Sequence, residues 1–181
     1  EKLYSVQSRH SDLRLRPEIM VGGGYNLTNN SYLRSYQGDV SLRFHISNRF
    51  SVAAAYSWVG NSFSQDAKQL IDEKGVLPDV PYALNKTEGT VAYNVFYGKF
   101  RMSMDTVYYF DQYVALGAGR IAMNTGTETA YIGDVGFAFW MNTWGSVRVG
   151  IKDYYYKETQ QSGRSAYAHN IHGHLGVGYI F

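Results

Sequence analysis

The chain contains no cysteine. That absence excludes a disulfide framework, a thiol nucleophile and any cysteine-based metal site. Charge is also scarce: 18% of the 181 residues are Asp, Glu, Lys or Arg, against about 25% in ordinary soluble domains. The formal net charge of +2 is too small for the basic surface that a nucleic-acid partner requires. No apolar run approaches the ~20 residues that a spanning helix needs. Phe137-Ala138-Phe139-Trp140-Met141 is among the longest, and the mean hydropathy is −0.31. The chain starts at Glu1 rather than at an initiator Met, and is expected to be the mature, processed form with its signal peptide absent.

What is present is aromatic and alternating. Aromatic residues make up 16% of the chain, 17 of them Tyr. The pattern is clearest at the end. Ile171, Leu175, Val177, Tyr179 and Phe181 alternate with His172, His174, Gly176 and Gly178, a period of two that marks a strand with one greasy face. The chain stops on that aromatic residue. The set His174, Gly176, Tyr179 and Phe181 resembles the C-terminal signal of bacterial outer-membrane β-barrels, which implies that the barrel-assembly machinery reads this strand during insertion.

The same alternation recurs upstream. Strands are expected over about 14–27, 36–46, 49–60, 87–100, 107–122, 130–141 and 146–156, before the final one. In the first, Ile19, Val21, Gly23 and Tyr25 share a face opposite Arg16, Glu18 and Met20. The fifth is the least regular: Val114, Leu116 and Ala118 favour one face while Tyr113 and Ile121 lie on the other, which predicts a bulge. Ser47-Asn48 reads as a tight reversal. Residues 61–86 break the pattern, with Pro78, Pro81 and several charges, and a short helix is expected at 65–74. The result is an all-β, eight-stranded antiparallel up-and-down transmembrane barrel with both termini periplasmic. Residues 1–13 form a periplasmic lead-in that either tucks under or into the barrel or stays mobile. Residues 14–181 form the barrel, and 61–86 its long extracellular loop. The turns at 47–48, 101–105 and 142–145 fall on the periplasmic side. The connections near Thr28, at 61–86, near Asn124 and at 157–168 fall outside, as short inner turns and longer outer loops do in such barrels.

Charge decides which face is inside. Arg16, Glu18, Asp39, Arg43, Glu88, Asp134, Arg148 and Lys152 all lie on the non-greasy faces, as do His172 and His174. A cation facing mid-bilayer lipid costs about 2–4 kcal/mol, so these residues are expected to form a charge network in the lumen. A soluble ligand-binding barrel would reverse the faces and is the alternative. Tyr25, Tyr36, Trp58, Tyr131 and Tyr155 are expected to form an outer aromatic girdle, and Phe50, Tyr97, Trp144, Tyr179 and Phe181 an inner one. Asp153 falls on the lipid-facing register and is expected at the rim or past a bulge. Eight strands leave an interior that side chains can fill, so a plugged lumen is expected.

His172 and His174, at i and i+2 on one strand face, can in principle chelate a metal. With no carboxylate pattern beside them, a hydrogen-bonded role is the plainer reading. Ser162, Ser165 and His169 lie in or near the last loop without His-x-Ser spacing. No catalytic residue, cofactor site or metal site is assigned.

Three segments carry a further resemblance: Leu3-Tyr4-Ser5-Val6-Gln7-Ser8-Arg9, Phe96-Tyr97-Gly98-Lys99-Phe100 and Tyr109-Phe110-Asp111. They resemble a family of small outer-membrane barrel proteins from predatory and gliding delta-type bacteria. The resemblance implies an integral outer-membrane location, among outer-membrane lipid and lipopolysaccharide. It also implies, for some members, a place in envelope-spanning motility complexes. The expected function is a structural or docking barrel that meets an envelope protein through its loops or lead-in. A small porin and a lipid-modifying rim enzyme are the alternatives.

Overall fold

The computed structural model describes residues 9, 11–28, 32–74, 81–101, 107–159 and 165–181. Eight strands, β1 (Arg16–Asn26), β2 (Leu33–His45), β3 (Phe50–Phe63), β4 (Ala83–Arg101), β5 (Val107–Met123), β6 (Gly126–Trp140), β7 (Gly145–Thr159) and β8 (Ser165–Ile180), form one closed antiparallel barrel in chain order. The seam is made by β1 and β8, with Glu18 opposite Ile180 and Asn26 opposite His172. Closure pairs the backbone all the way round, which hydrocarbon demands because it offers no hydrogen bonds. Helix α1 (Gln65–Lys74) matches its expected span. Ser64 caps it, its Oγ accepting from Ala67 N at 3.2 Å.

The two faces of the wall are inverted relative to a soluble protein. Leu116 is 73% exposed and Val177 63%, whereas Glu18 is 1% exposed and Arg148 3%. Only an apolar surround makes that arrangement favourable, so the outer wall faces lipid and the soluble-barrel alternative fails. Around the upper end of the barrel, away from the termini, Tyr25, Tyr36, Trp58, Tyr131 and Tyr155 are all exposed on the outside. Around the lower end the same holds for Phe50, Trp144, Tyr179 and Phe181, with Trp144 packed on Tyr179 at 5.6 Å.

Tyr97 departs from that expectation. The pairing of β4 with β5 shifts register between Asn94 and Phe96, so Val95 is an extra residue and the alternation slips by one. Phe96 then faces out and Tyr97 turns inward, packing beside Tyr109 on a buried cluster of Leu13, Tyr113, Ala138, Trp140 and Ile180. The bulge expected in β5 lies in β4 instead. Tyr113 and Ile121 are buried inside the barrel while Val114 and Leu116 stay outside, because β5 is apolar on both faces. Asp153 keeps its outward register without a bulge, one outward step below Tyr155.

The strands also run further at the upper end than alternation indicates. The expected break at 61–86 shrinks to 64–82, and β6 starts at Gly126 rather than near 130. β7 and β8 stay paired as far as Thr159 and Ser165. Above the girdle both faces of a strand meet water, so the sequence period fades while the ladder continues. At the lower end the β4–β5 hairpin reaches past the start of β3, from Tyr93 opposite Phe50 down to Arg101.

Candidate functional site

The lumen is filled from the bottom up. At its lower end the lead-in turns into the barrel rather than away from it. Leu15 makes this turn at φ 57°, with Arg16 N donating to Leu13 O at 3.1 Å. A positive φ strains a side chain of this size. Ser11 and Leu13 are buried, and Leu13 N donates to Asn48 Oδ1 at 2.8 Å. Arg9 donates to Asp111, which also accepts from Trp140 Nε1 at 2.6 Å. The Arg9 guanidinium lies 4.9 Å from the Tyr97 ring centre, a cation–π contact.

Above this stopper sits Glu18. Its carboxylate accepts from Arg148 Nη2 at 2.8 Å and pairs with His45 Nε2 at 2.9 Å. Ser146 donates to its second oxygen, and Arg43 Nε lies 3.8 Å away. Gly178 makes room for this: a Cβ there would come within 2.5 Å of both Glu18 Oε1 and Ser146 Oγ. Next, Asp134 Oδ1 pairs with His174 Nε2 at 3.0 Å, with the Tyr113 hydroxyl 3.5 Å from both atoms. Asp39 borders an inner cavity of about 40 Å³, within electrostatic reach of Lys152 and His174. That space holds a few waters at most.

Higher still, Glu88 on β4 receives Lys152 from β7 and the Tyr154 hydroxyl at 2.8 Å. Lys86, also on β4, donates to Gln37 Oε1 of β2 at 3.1 Å, meets His172 Nε2 of β8 at 3.0 Å, and lies 4.0 Å from the Tyr154 ring centre. These bonds join strands on opposite sides of the ring and block it. A shallow cup of about 90 Å³ tops the barrel, lined by residues including Asn26, Tyr82, Lys86, Tyr156, Asn170 and His172. An apolar cluster of Ile121, Met123, Ala130, Ile132, Tyr154 and Tyr156 packs beside it.

All of the expected lumen residues face the interior except Arg16. Arg16 sits at the lower rim and donates to main-chain oxygens of Phe181 at 2.8 Å and Thr143 at 2.9 Å. Its guanidinium also donates to Asp12 O at 3.3 Å, so it ties the end of β8 to the lead-in. His174 and Gly176 of the C-terminal signal point inward, and Tyr179 and Phe181 outward. His172 and His174 bond different partners, and among the described residues no group of three His, Asp or Glu is gathered for a metal.

Alternation alone could have found Trp140, which continues the inward series Asp134, Gly136 and Ala138, and Asp111, two residues from inward Tyr113. Lys86 lies two residues from inward Glu88 and carried the same signal, but it fell at the edge of the stretch expected to be loop. Arg9 lies outside any strand, so nothing in the period could place it.

No family model matches the chain, and no curated protein is similar to it in sequence. In structure it is similar to the N-terminal β-barrel domain of OprF from Pseudomonas aeruginosa, with 14% identity, 93% of this chain and 98% of that chain covered, and a TM-score of 0.53. It is likewise similar to Neisserial surface protein A, NspA, with 10% identity, 91% and 97% coverage and a TM-score of 0.50. Both are small bacterial outer-membrane β-barrels, and at such identities the likeness is one of fold. The architecture is therefore that of an integral outer-membrane β-barrel.

Proposed function

We propose that the chain is a sealed, non-catalytic barrel of the bacterial outer membrane, serving as a structural or docking component of the envelope and belonging to a larger complex there. Both termini lie on the periplasmic side in this reading. The observation that carries it is the set of bonds spanning the lumen, Lys152 to Glu88 and Lys86 to Gln37 and His172, above the Arg9–Asp111 stopper. Breaking such buried pairs to pass an ion would leave charges unpaired in a narrow interior. The features available to a partner are the α1-bearing β3–β4 connection on the upper side and the projecting β4–β5 hairpin with the lead-in below. Lipopolysaccharide and outer-membrane lipid surround the wall, and the assembly machinery takes the final strand during insertion.

Kinship with the small barrels of predatory and gliding delta-type bacteria belongs to the same proposal. It is supported by Phe96–Phe100 and Tyr109–Asp111, which pair with each other in the projecting hairpin. The lead-in segment from Leu3 to Ser8 lies outside the described residues. Planar-bilayer recording on purified protein tests the sealed reading. No steady current is expected, and a steady single-channel current would establish the small-porin alternative instead. Lipid A is expected to be unchanged between cells with and without the protein; a difference in acylation would revive the rim enzyme.

A further inference from the structure

Two cations sit on the outside of the wall near its upper end. Arg120 continues the outward series of β5 after Leu116 and Ala118, and Lys157 continues that of β7 after Asp153 and Tyr155. Both are exposed, and neither has a hydrogen-bond or ion-pair partner among the described residues. The Cα partner of Arg120 is Thr129 on β6. Lys157 follows Tyr156, whose partner is Ala130, the residue after Thr129. The two cations therefore flank exposed Thr129 from its two neighbouring strands, with backbones roughly 10 Å apart at two strand spacings. Side chains of their length can converge on one group between them.

No carboxylate neutralises this pair. Asp153, on the same outward face of β7, is held by His169, with Oδ2 and Nδ1 at 2.6 Å. Glu128 accepts from Thr159 Oγ1 at 3.3 Å, and Glu158 lines the cup inside the barrel mouth. Cations at the edge of an apolar phase without a counter-charge are unfavourable, so the position suits an anion. Directly below lie Tyr131 and Tyr155, which are cross-strand partners in the upper girdle. One outward step further down β6 is Gly133, the floor of an open apolar groove of about 380 Å³ walled by Val114, Leu116, Val135, Ile151 and Ile171. A Cβ at Gly133 would meet nothing within 4 Å, so the groove has room for a hydrocarbon chain. The fitting ligand is an anion that carries hydrocarbon, with its polar part at the level of the tyrosines.

We propose that this face is a lipid A site. Arg120, Thr129 and Lys157 hold one phosphate of the lipopolysaccharide anchor, its glucosamine rests against Tyr131 and Tyr155, and one acyl chain lies along the Gly133 floor. A phosphomonoester carries nearly two negative charges and three acceptor oxygens, which matches two cations and a hydroxyl. The inference rests on the reading that the upper end lies in the outer leaflet, where lipid A belongs.

The test uses the full chain in detergent with equal amounts of bisphosphorylated lipid A and its dephosphorylated form, read by native mass spectrometry. The wild-type barrel is expected to retain the phosphorylated form about tenfold over the other, the size of one charge-assisted hydrogen bond. Arg120→Gln combined with Lys157→Gln is expected to abolish that preference. Retention of the dephosphorylated form is expected to stay the same in this double variant, which shows that its barrel is intact. Arg34→Gln removes an exposed cation from the outward face of β2 and is expected to leave the preference unchanged. Gly133→Leu fills the groove and is expected to lower retention of both forms. Excess N-acetylglucosamine 1-phosphate, which has no acyl chain, is expected not to displace lipid A. Equal retention by the wild type, a preference that survives the double variant, an equal loss in R34Q, unchanged retention by G133L, or displacement by the sugar phosphate would each overturn the proposal. Binding in detergent does not depend on which way the barrel is inserted. Surface labelling of intact cells reads that separately, and an upper end found on the periplasmic side would remove lipid A as the occupant.

Discussion

Glu18 is bonded by Arg148, His45 and Ser146 and approached by Arg43, all inside a closed wall. Removing it strands two guanidinium groups away from water, and an unpaired buried charge costs about 3–5 kcal/mol. Glu18→Ala is therefore expected to lower stability by about that amount in urea unfolding from lipid vesicles, followed by Trp fluorescence. A loss below about 1 kcal/mol would mean that water reaches the cluster. The inward direction of Glu18, Arg43 and Arg148 was readable from alternation and charge alone. Which cation meets which carboxylate was not, because partners such as Glu88 and Lys152 come from strands far apart in the chain and meet only when the ring closes.

Strands β1 to β8 were legible where one face meets hydrocarbon and the other does not. Leu116 lies midway along β5 on the lipid side, so Leu116→Arg is expected to cost about 2–4 kcal/mol by the same unfolding measurement. A neutral result would contradict the assignment of the outer face. Alternation failed in two identifiable ways. It was silent at the upper ends of β2, β3, β4, β6, β7 and β8, where water wets both faces and only hydrogen bonding holds the ladder. It misdirected Tyr97, because the extra residue Val95 shifts every later side chain to the opposite face. A bulge of this kind leaves no mark in residue type, since Val95 and Phe96 are both good strand formers.

At the scale of the molecule, the barrel has an upper end bearing α1 and a lower end where β1 begins and β8 finishes. With no native cysteine, single substitutions report orientation cleanly. Thr127→Cys near the upper turn is expected to react with a membrane-impermeant maleimide on intact cells, and Thr143→Cys in the lower turn only after the envelope is permeabilised. The opposite labelling would invert the barrel. Period-two patterning and sparse charge by themselves determined an eight-stranded barrel with a greasy outside, because those features follow from the solvent on each face of each strand. The closed sheet alone decided that Arg9 plugs the lower mouth, that Lys86 bonds Gln37 and His172 across the lumen, and that Arg16 stays at the rim. Each of those depends on distances between strands, and a linear pattern carries no information about them until the ring is shut.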